Sequence, residues 1–178
     1  MRSSRAGSSL AISLAVAVFS CSEAHAQSIG AGAGIVKLEK EEGSSLYLTA
    51  NVRFPLLGPL HLEPEVGYFK RTEQIAAGEL SFEDFSLGAN ALLVIPGSRI
   101  QVFGGVGIGA HFLDRSAGIA QIIRDAKSTD TAIHVLGGLD VTLSGPLVLF
   151  GVARKDVFGD DTDARDQTKF YGGLRLKF

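Results

Sequence analysis

The chain has few of the residues that restrain small exported proteins covalently or mark a cofactor site. Its 178 residues include no Trp, one Met and a single Cys, Cys21. One cysteine excludes an intrachain disulfide. Lys plus Arg, at 17, nearly balances Asp plus Glu, at 19, and this excludes the basic excess typical of a nucleic-acid-binding protein. We predict no cofactor and no metal site.

Long apolar runs are also missing. The run at residues 10–19 is too short for a membrane-spanning helix, which needs about 20 apolar residues. Arg2 and Arg5 precede it, and the small-x-small site at residues 24–26 follows it, so residues 1–26 are predicted to be a cleavable signal peptide. Cleavage after Ala26 is favoured over lipidation at Cys21.

The predicted mature domain, residues 27–178, has no run of 18 consecutive apolar residues. No helix of this domain is therefore expected to cross a membrane. If the domain lies in a membrane, it must form a closed β-barrel, since backbone polar groups have no other way to be satisfied in lipid.

The last ten residues alternate strictly between two kinds of side chain. Positions of one parity are apolar or Gly, and positions of the other parity carry Lys169, Tyr171, Arg175 and Lys177. A period of two predicts a strand with one apolar face and one charged face. Such a strand suits the closure of a barrel with its apolar face toward lipid.

The same alternation recurs along the rest of the domain. It predicts eight strands, at residues 28–38, 45–54, 60–70, 79–95, 99–112, 130–143, 147–158 and 169–178. Three connections are short and rich in Gly and Pro, and four are longer and polar. This alternation predicts an all-β, eight-stranded antiparallel up-and-down transmembrane β-barrel with short periplasmic turns.

The polar face of each strand is assigned to the barrel interior. The residues that we predict to form a polar network in the lumen are Arg53, Glu63, Glu65, Asp84, Arg99, Asp140, Arg175 and Lys177. Histidines 61, 111 and 134 share that face. Strand 147–158 is ambiguous in parity, and we prefer Arg154 and Asp156 inside, because a charge near the lipid midplane costs about 2–4 kcal/mol. Pro64 predicts a bulge or weakened pairing.

Three segments resemble a known family. They are the leader ending Ala24-His25-Ala26, the glycine-rich strand at residues 102–109, and the closing segment 171–178. Together they are similar to the small eight-stranded outer-membrane barrels of Gram-negative bacteria, the OmpA-like and OmpX-like, porin-like barrel domains. The resemblance implies a cell outer-membrane location, contact with outer-membrane lipid, and recognition by the barrel-assembly machinery. The residues of that assembly signal would be Tyr171, Leu174, Leu176 and Phe178.

The function is open between several interpretations. We favour a structural or surface-binding role, without catalysis, through external loops that contact an extracellular ligand. A narrow ion-conducting pore is the first alternative. A soluble lipocalin-like barrel is another, but it would need an apolar interior, whereas the predicted interior is the charged face. A lipid A-modifying enzyme is another, with His111, Asp114 and Ser116 as candidates, although parity points His111 away from lipid. Residues 117–127 of the long connection predict either a short amphipathic helix or an extension of the strands.

Overall fold

The computed structural model describes residues 28–39, 43–75, 78–119, 122–159 and 166–178. They form one closed barrel in which each strand pairs antiparallel with the next and β1 pairs with β8. The predicted fold class is therefore confirmed. The strands are β1 (Ser28–Leu38), β2 (Ser45–Leu57), β3 (Leu60–Ile75), β4 (Gly78–Ile95), β5 (Ile100–Ile119), β6 (Ile122–Ser144), β7 (Leu147–Phe158) and β8 (Gln167–Lys177).

Burial alternates along the strands as the sequence pattern predicts, with the polar face buried. In β7 the inward positions include Arg154 and Asp156, at 3% and 0% exposure, whereas Leu149 and Val157 are exposed. The preferred parity of this strand is therefore correct, and Lys155 lies on the exposed face near the strand end. The barrel is thus apolar outside and charged inside.

Two of the three short connections turn at a glycine in the left-handed region. Gly58 has a φ of 56° between β2 and β3, and Gly145 has a φ of 53° between β6 and β7. Residues with a Cβ rarely adopt this backbone conformation, so glycine is favoured at these two turn positions. The third turn, residues 96–99, joins β4 to β5. We call the side of the barrel with these turns the turn end and the opposite side the loop end.

The loop end differs most from the expectation. Residues 72–78 and 113–129 were expected to be loops, but β3 continues to Ile75, β4 begins at Gly78, β5 continues to Ile119 and β6 begins at Ile122. The helix considered for residues 117–127 is therefore wrong, and strand extension is correct. The extended strands stay paired, for example between β5 and β6 from Ile108↔Ile133 to Ile119↔Ile122, which satisfies their backbone groups.

Pro64 interrupts pairing without shifting the register. The β2–β3 partners run from Tyr47↔Phe69 to Asn51↔Glu65 and resume at Phe54↔Leu62. A proline has no N–H to donate to a ladder, which accounts for the gap. The register shift lies further on, between Pro55 and Leu57, at the turn end.

Among the described residues, no helix is long and apolar enough to cross a lipid bilayer. The predicted signal peptide, residues 1–26, lies outside the residues that the structure describes.

Candidate functional site

The turn-end half of the interior contains two arginines and two carboxylates that we call the lower cluster: Arg53, Glu63, Asp140 and Arg175. Asp140 accepts hydrogen bonds from Arg53 Nη1 at 3.0 Å and Arg175 Nη1 at 2.8 Å. Glu63 accepts from Arg53 Nε at 2.7 Å and Arg175 Nη2 at 2.9 Å. Each carboxylate is thus shared by both guanidiniums, and all four side chains are at most 5% exposed. The cluster is electrically balanced.

Aromatic rings support the arginines of the lower cluster. The guanidinium carbon of Arg53 lies 4.3 Å from the ring centroid of Phe103, and that of Arg175 lies 4.7 Å from Phe150. Both rings belong to the inner face, where they are buried. A cation over a desolvated ring is attracted by the ring quadrupole, so these contacts restrict the arginines to one position.

The middle of the interior contains a second balanced group, the central cluster, formed by Glu65, Arg154, Asp156 and Lys169. Arg154 donates to both Glu65 and Asp156, and Lys169 Nζ lies 2.7 Å from Asp156 Oδ2. The hydroxyls of Tyr47 and Tyr171 donate to Glu65 at 3.2 and 2.9 Å, respectively. Paired charges with additional hydrogen bonds are the arrangement that makes burial of ions tolerable.

Nearer the loop end, the charged interior gives way to apolar side chains. Asp84 is held by His111 Nδ1 at 2.9 Å and by Gln167 Nε2 at 2.8 Å. Beside it, Phe69 and Leu113 are buried, and the ring of Phe69 packs 5.6 Å from that of Phe82. Ion pairs and apolar side chains therefore fill the lumen of a barrel that is just wide enough to be filled.

The structure buries six of the eight predicted lumen residues: Arg53, Glu63, Glu65, Asp84, Asp140 and Arg175. The prediction that Arg99 lies in the lumen is wrong, because Arg99 lies in the turn before β5 and is exposed. The strand begins one residue later than expected, so strand parity does not orient its side chain. Lys177 is only partly buried, and its Nζ donates to Gln101 Oε1 at 2.9 Å.

Several partners were not among those eight residues. Lys169, Asn90, His134 and Gln167 are all at most 1% exposed. Lys169 belongs to the central cluster, and Gln167 donates to Asp84. His134 contacts Asn90 through Nε2, and Arg154 through Nδ1 at 3.1 Å. Strand parity alone would have found Lys169, which alternates with Tyr171 and Arg175. It could not have indicated which strands supply partners to one another across the lumen.

Glycines on the inner face make room for these large side chains. A Cβ on Gly30 would lie 2.7 Å from Asn51 Oδ1, and one on Gly138 would lie 2.6 Å from the Phe103 ring. Such separations are well inside van der Waals contact. Glycines at these inner positions therefore admit bulky neighbours.

A row of aromatic residues crosses the exposed outer face at the loop end. Tyr68 pairs with Phe85, and Phe85 with Phe112, and the two Phe rings lie 6.2 Å apart. Immediately beyond this row, Lys70 and Glu83 form an exposed ion pair at 2.6 Å. Aromatic residues followed by charge are typical of a membrane–water interface.

The height of the apolar band fits a bilayer. Ile95 and Phe85 face outward at the two ends of the band in β4, ten residues apart. At about 3.3 Å per residue and a tilt of about 40°, they are separated by about 25 Å along the barrel axis, the height typical of the apolar band of such barrels.

The candidates for catalysis do not come together. His111 is fully buried against Asp84, whereas Asp114 is at an outward-facing position, three residues along β5. Ser116 lies where side chains are not described. In the described part of the chain, no serine, threonine or cysteine side chain is hydrogen-bonded to His111 or His134, and no group of three or more potential metal ligands is found.

The barrel matches solved structures in its fold. Neisserial surface protein A superposes with a TM-score of 0.67 at 14% identity, covering 85% of this chain and 95% of the other. The fold is that of the small eight-stranded outer-membrane β-barrels. A major outer membrane protein from Thermus thermophilus gives a TM-score of 0.65 at 14% identity, covering 86% of this chain and 100% of the other.

Ail, the attachment invasion locus protein of Yersinia pestis, was solved in complex with the heparin analogue sucrose octasulfate. It gives a TM-score of 0.60 at 14% identity, covering 85% of this chain and 95% of the other. No protein-family model matches this chain, and no curated protein matches it in sequence. At these identities the likeness shows the fold alone.

Proposed function

We propose that this protein is an integral protein of the outer membrane, exported with a signal peptide at residues 1–26 and inserted as a barrel. The observation that carries the proposal is the distribution of polarity, with ion pairs inside and an exposed apolar band outside. In water, that outer surface would far exceed the apolar patches that soluble monomers tolerate. The charged interior also argues against a lipocalin-like cavity for an apolar ligand.

In this proposal the turn end faces the periplasm and the loop end faces outward. Short turns on the periplasmic side and longer connections outside are the usual arrangement of such barrels. The extended strands support it: β5 continues seven residues past Phe112, or about 23 Å along the strand. The β3–β6 extension would therefore stand above the outer leaflet.

The proposed role is surface binding through the loop end, without catalysis. The interior is filled by paired side chains, so a role in transport has no open path to use, whereas the projecting sheet offers a surface. The connections at residues 39–44 and 159–166 together contain seven Asp or Glu and only two Lys or Arg. A sulfated polyanion like the ligand crystallised with Ail would be repelled there, so we propose a partner that is cationic or uncharged.

The C-terminal strand is proposed to carry the signal for barrel assembly. Leu174, Leu176 and Phe178 are exposed on the outer face of the barrel, where the assembly machinery could reach them. Tyr171 differs from them because its side chain points inward to Glu65. We therefore propose that Tyr171 contributes to the stability of the inserted barrel and the other three residues to recognition.

The location is tested by membrane fractionation followed by SDS gels with and without boiling. We expect the protein in the outer-membrane fraction, with a mobility that changes on heating, because a closed barrel resists SDS until it is heated. A soluble periplasmic protein without such a shift would overturn the proposal.

The orientation is tested with single cysteines, since the predicted mature domain has none of its own. Thr72→Cys lies at the exposed loop end and Ser98→Cys at the exposed turn end. A membrane-impermeant maleimide added to intact cells should label the first variant and not the second, and both should react after lysis. Labelling of Ser98→Cys alone in intact cells would reverse the orientation.

A further inference from the structure

The turn end contains a cavity of about 360 Å³ between the short turns. A space of this size is within the range of small-ligand sites. Its floor is part of the lower cluster, and its walls come from residues of several strands. The polar residues that line it are Ser28, Arg53, His61, Gln101, Asp140 and Lys177.

The charged side chains that line this cavity, Arg53, Asp140 and Lys177, carry a net positive charge. The two carboxylates of the lower cluster are both neutralised by Arg53 and Arg175. Lys177 adds a third cation, and in the described part of the chain its Nζ contacts only the neutral oxygen of Gln101. The turn segments 58–59, 96–99 and 145–146 contain no Asp or Glu, and Arg99 adds a further cation at this end. A concave surface with a net charge concentrates ions of the opposite sign.

Neutral donors are available beside the cation. Gln101 lines the cavity and accepts from Lys177 with its amide oxygen. Among the described residues no hydrogen bond from its NH₂ group is found, so that group can donate to a ligand. His61 Nδ1 is buried and has no hydrogen-bond partner among the described residues. The Ser28 hydroxyl is a further donor, on a residue that is 3% exposed.

We propose that this turn-end cavity binds a small oxyanion, a phosphate or carboxylate group, through the Lys177 ammonium with Gln101, His61 and Ser28 as additional donors. Charge-assisted hydrogen bonds from an ammonium to an oxyanion are stronger than hydrogen bonds between neutral groups. A single uncompensated cation at the mouth of a partly open cavity fits a weak and reversible site. The proposal does not depend on which membrane holds the barrel or on what the loop end binds.

The experiment uses the whole mature protein, folded in detergent micelles, with isotope-labelled histidine followed by NMR. Titration with inorganic phosphate to about 10 mM, in the range of millimolar affinity, should shift the ring signals of His61 in a saturable way. The signals of His111 and His134, both inside the lumen, should stay in place. Sodium acetate in a parallel titration distinguishes a phosphate site from a general oxyanion site, and saturation by either anion supports the proposal.

Two variants locate the site. Lys177→Gln should weaken binding about tenfold, since it removes the charge from the principal contact. Arg99→Gln is the matched control, because it removes an exposed cation at the same end of the barrel without touching the cavity lining, and it should leave binding within about twofold of the parent. If Lys177→Gln fails the heat-shift test for folding, Gln101→Leu replaces it, with a similar loss expected.

Three results would overturn the proposal. One is the absence of any saturable shift of His61 with either anion. A second is an equal shift with sodium chloride at the same ionic strength, which would indicate general screening. The third is an equal loss in Arg99→Gln and Lys177→Gln, which would indicate attraction to the whole turn end and not to the cavity.

Discussion

Two adjacent glycines of β6 offer a direct test of the packed interior. Gly138 faces the lumen, and a Cβ placed there would lie 2.6 and 3.0 Å from two atoms of the Phe103 ring and still closer to the carbonyl oxygen of Gly151. The oxygen belongs to the backbone of β7 and cannot turn aside, and the ring supports the Arg53 guanidinium. Gly138→Ala must therefore displace a strand or a ring that holds the lower cluster.

The expected loss of stability for Gly138→Ala is about 1–3 kcal/mol, the usual range for overpacking a core. With a denaturant dependence of about 2 kcal/mol per M, the midpoint of urea unfolding should fall by about 0.5–1.5 M. Unfolding is followed by circular dichroism and by the fraction that keeps its folded mobility on unheated SDS gels. Tryptophan fluorescence cannot be used, since the chain contains no tryptophan.

Gly137→Ala is the matched control. This residue faces outward, and a Cβ there would meet only the carbonyl oxygen of Phe103, at 3.7 Å, an ordinary contact. Because Ala loses less backbone entropy than Gly on folding, its midpoint should be unchanged or higher, by up to about 1 kcal/mol in stability. Equal midpoints for the two variants, or a Gly138→Ala barrel as stable as the parent, would refute the inward packing of β6.

The remaining predictions concern the charged interior. Asp140→Asn should destabilise the barrel by about 3–5 kcal/mol in urea unfolding, because it leaves two buried arginines short of an anion. Its control is Glu83→Gln in the exposed Lys70–Glu83 pair, which should change stability by less than about 1 kcal/mol. Similar losses in both variants would contradict the burial of the lower cluster. In planar bilayers the parent protein should show no resolved conductance steps, since its lumen is filled, and regular steps would instead support a pore. His111→Ala should leave the lipid A profile of expressing cells unchanged, as its imidazole is enclosed with Asp84; a lost lipid A species would restore the enzyme interpretation.

The alternation of side chains predicted most of the fold because a strand has only two faces. Because side chains alternate with a period of two, one side chain known to point inward determines the orientation of every other side chain in its strand. This rule assigned the inner face of β8 and favoured the correct inner face of β7. The prediction failed where that period carries less information. Arg99 belongs to a turn, and the residues beyond Lys70 and Phe112 resemble a loop in composition although the strands continue through them.

The sequence could not show which polar side chains pair across the lumen. Glu65 and Arg154 are 89 residues apart, and Asn51 and Arg175 are 124 apart, yet both pairs are hydrogen-bonded. These contacts depend on how the closed barrel places non-neighbouring strands opposite one another. The strand pattern is a local property of the chain, whereas closure and register are properties of the whole sheet.

The sequence by itself determined the number of strands, the face that each strand turns outward, and the positions of the tight turns, because backbone geometry and the hydrophobic effect act on neighbouring residues. Only the tertiary structure decided that the interior divides into two balanced clusters with apolar packing toward the loop end and a positive cavity at the turn end. These features arise from side chains that closure of the barrel brings together. The reason is physical: burial of ions is tolerated only with partners in the right geometry, and that geometry exists only after β1 has met β8.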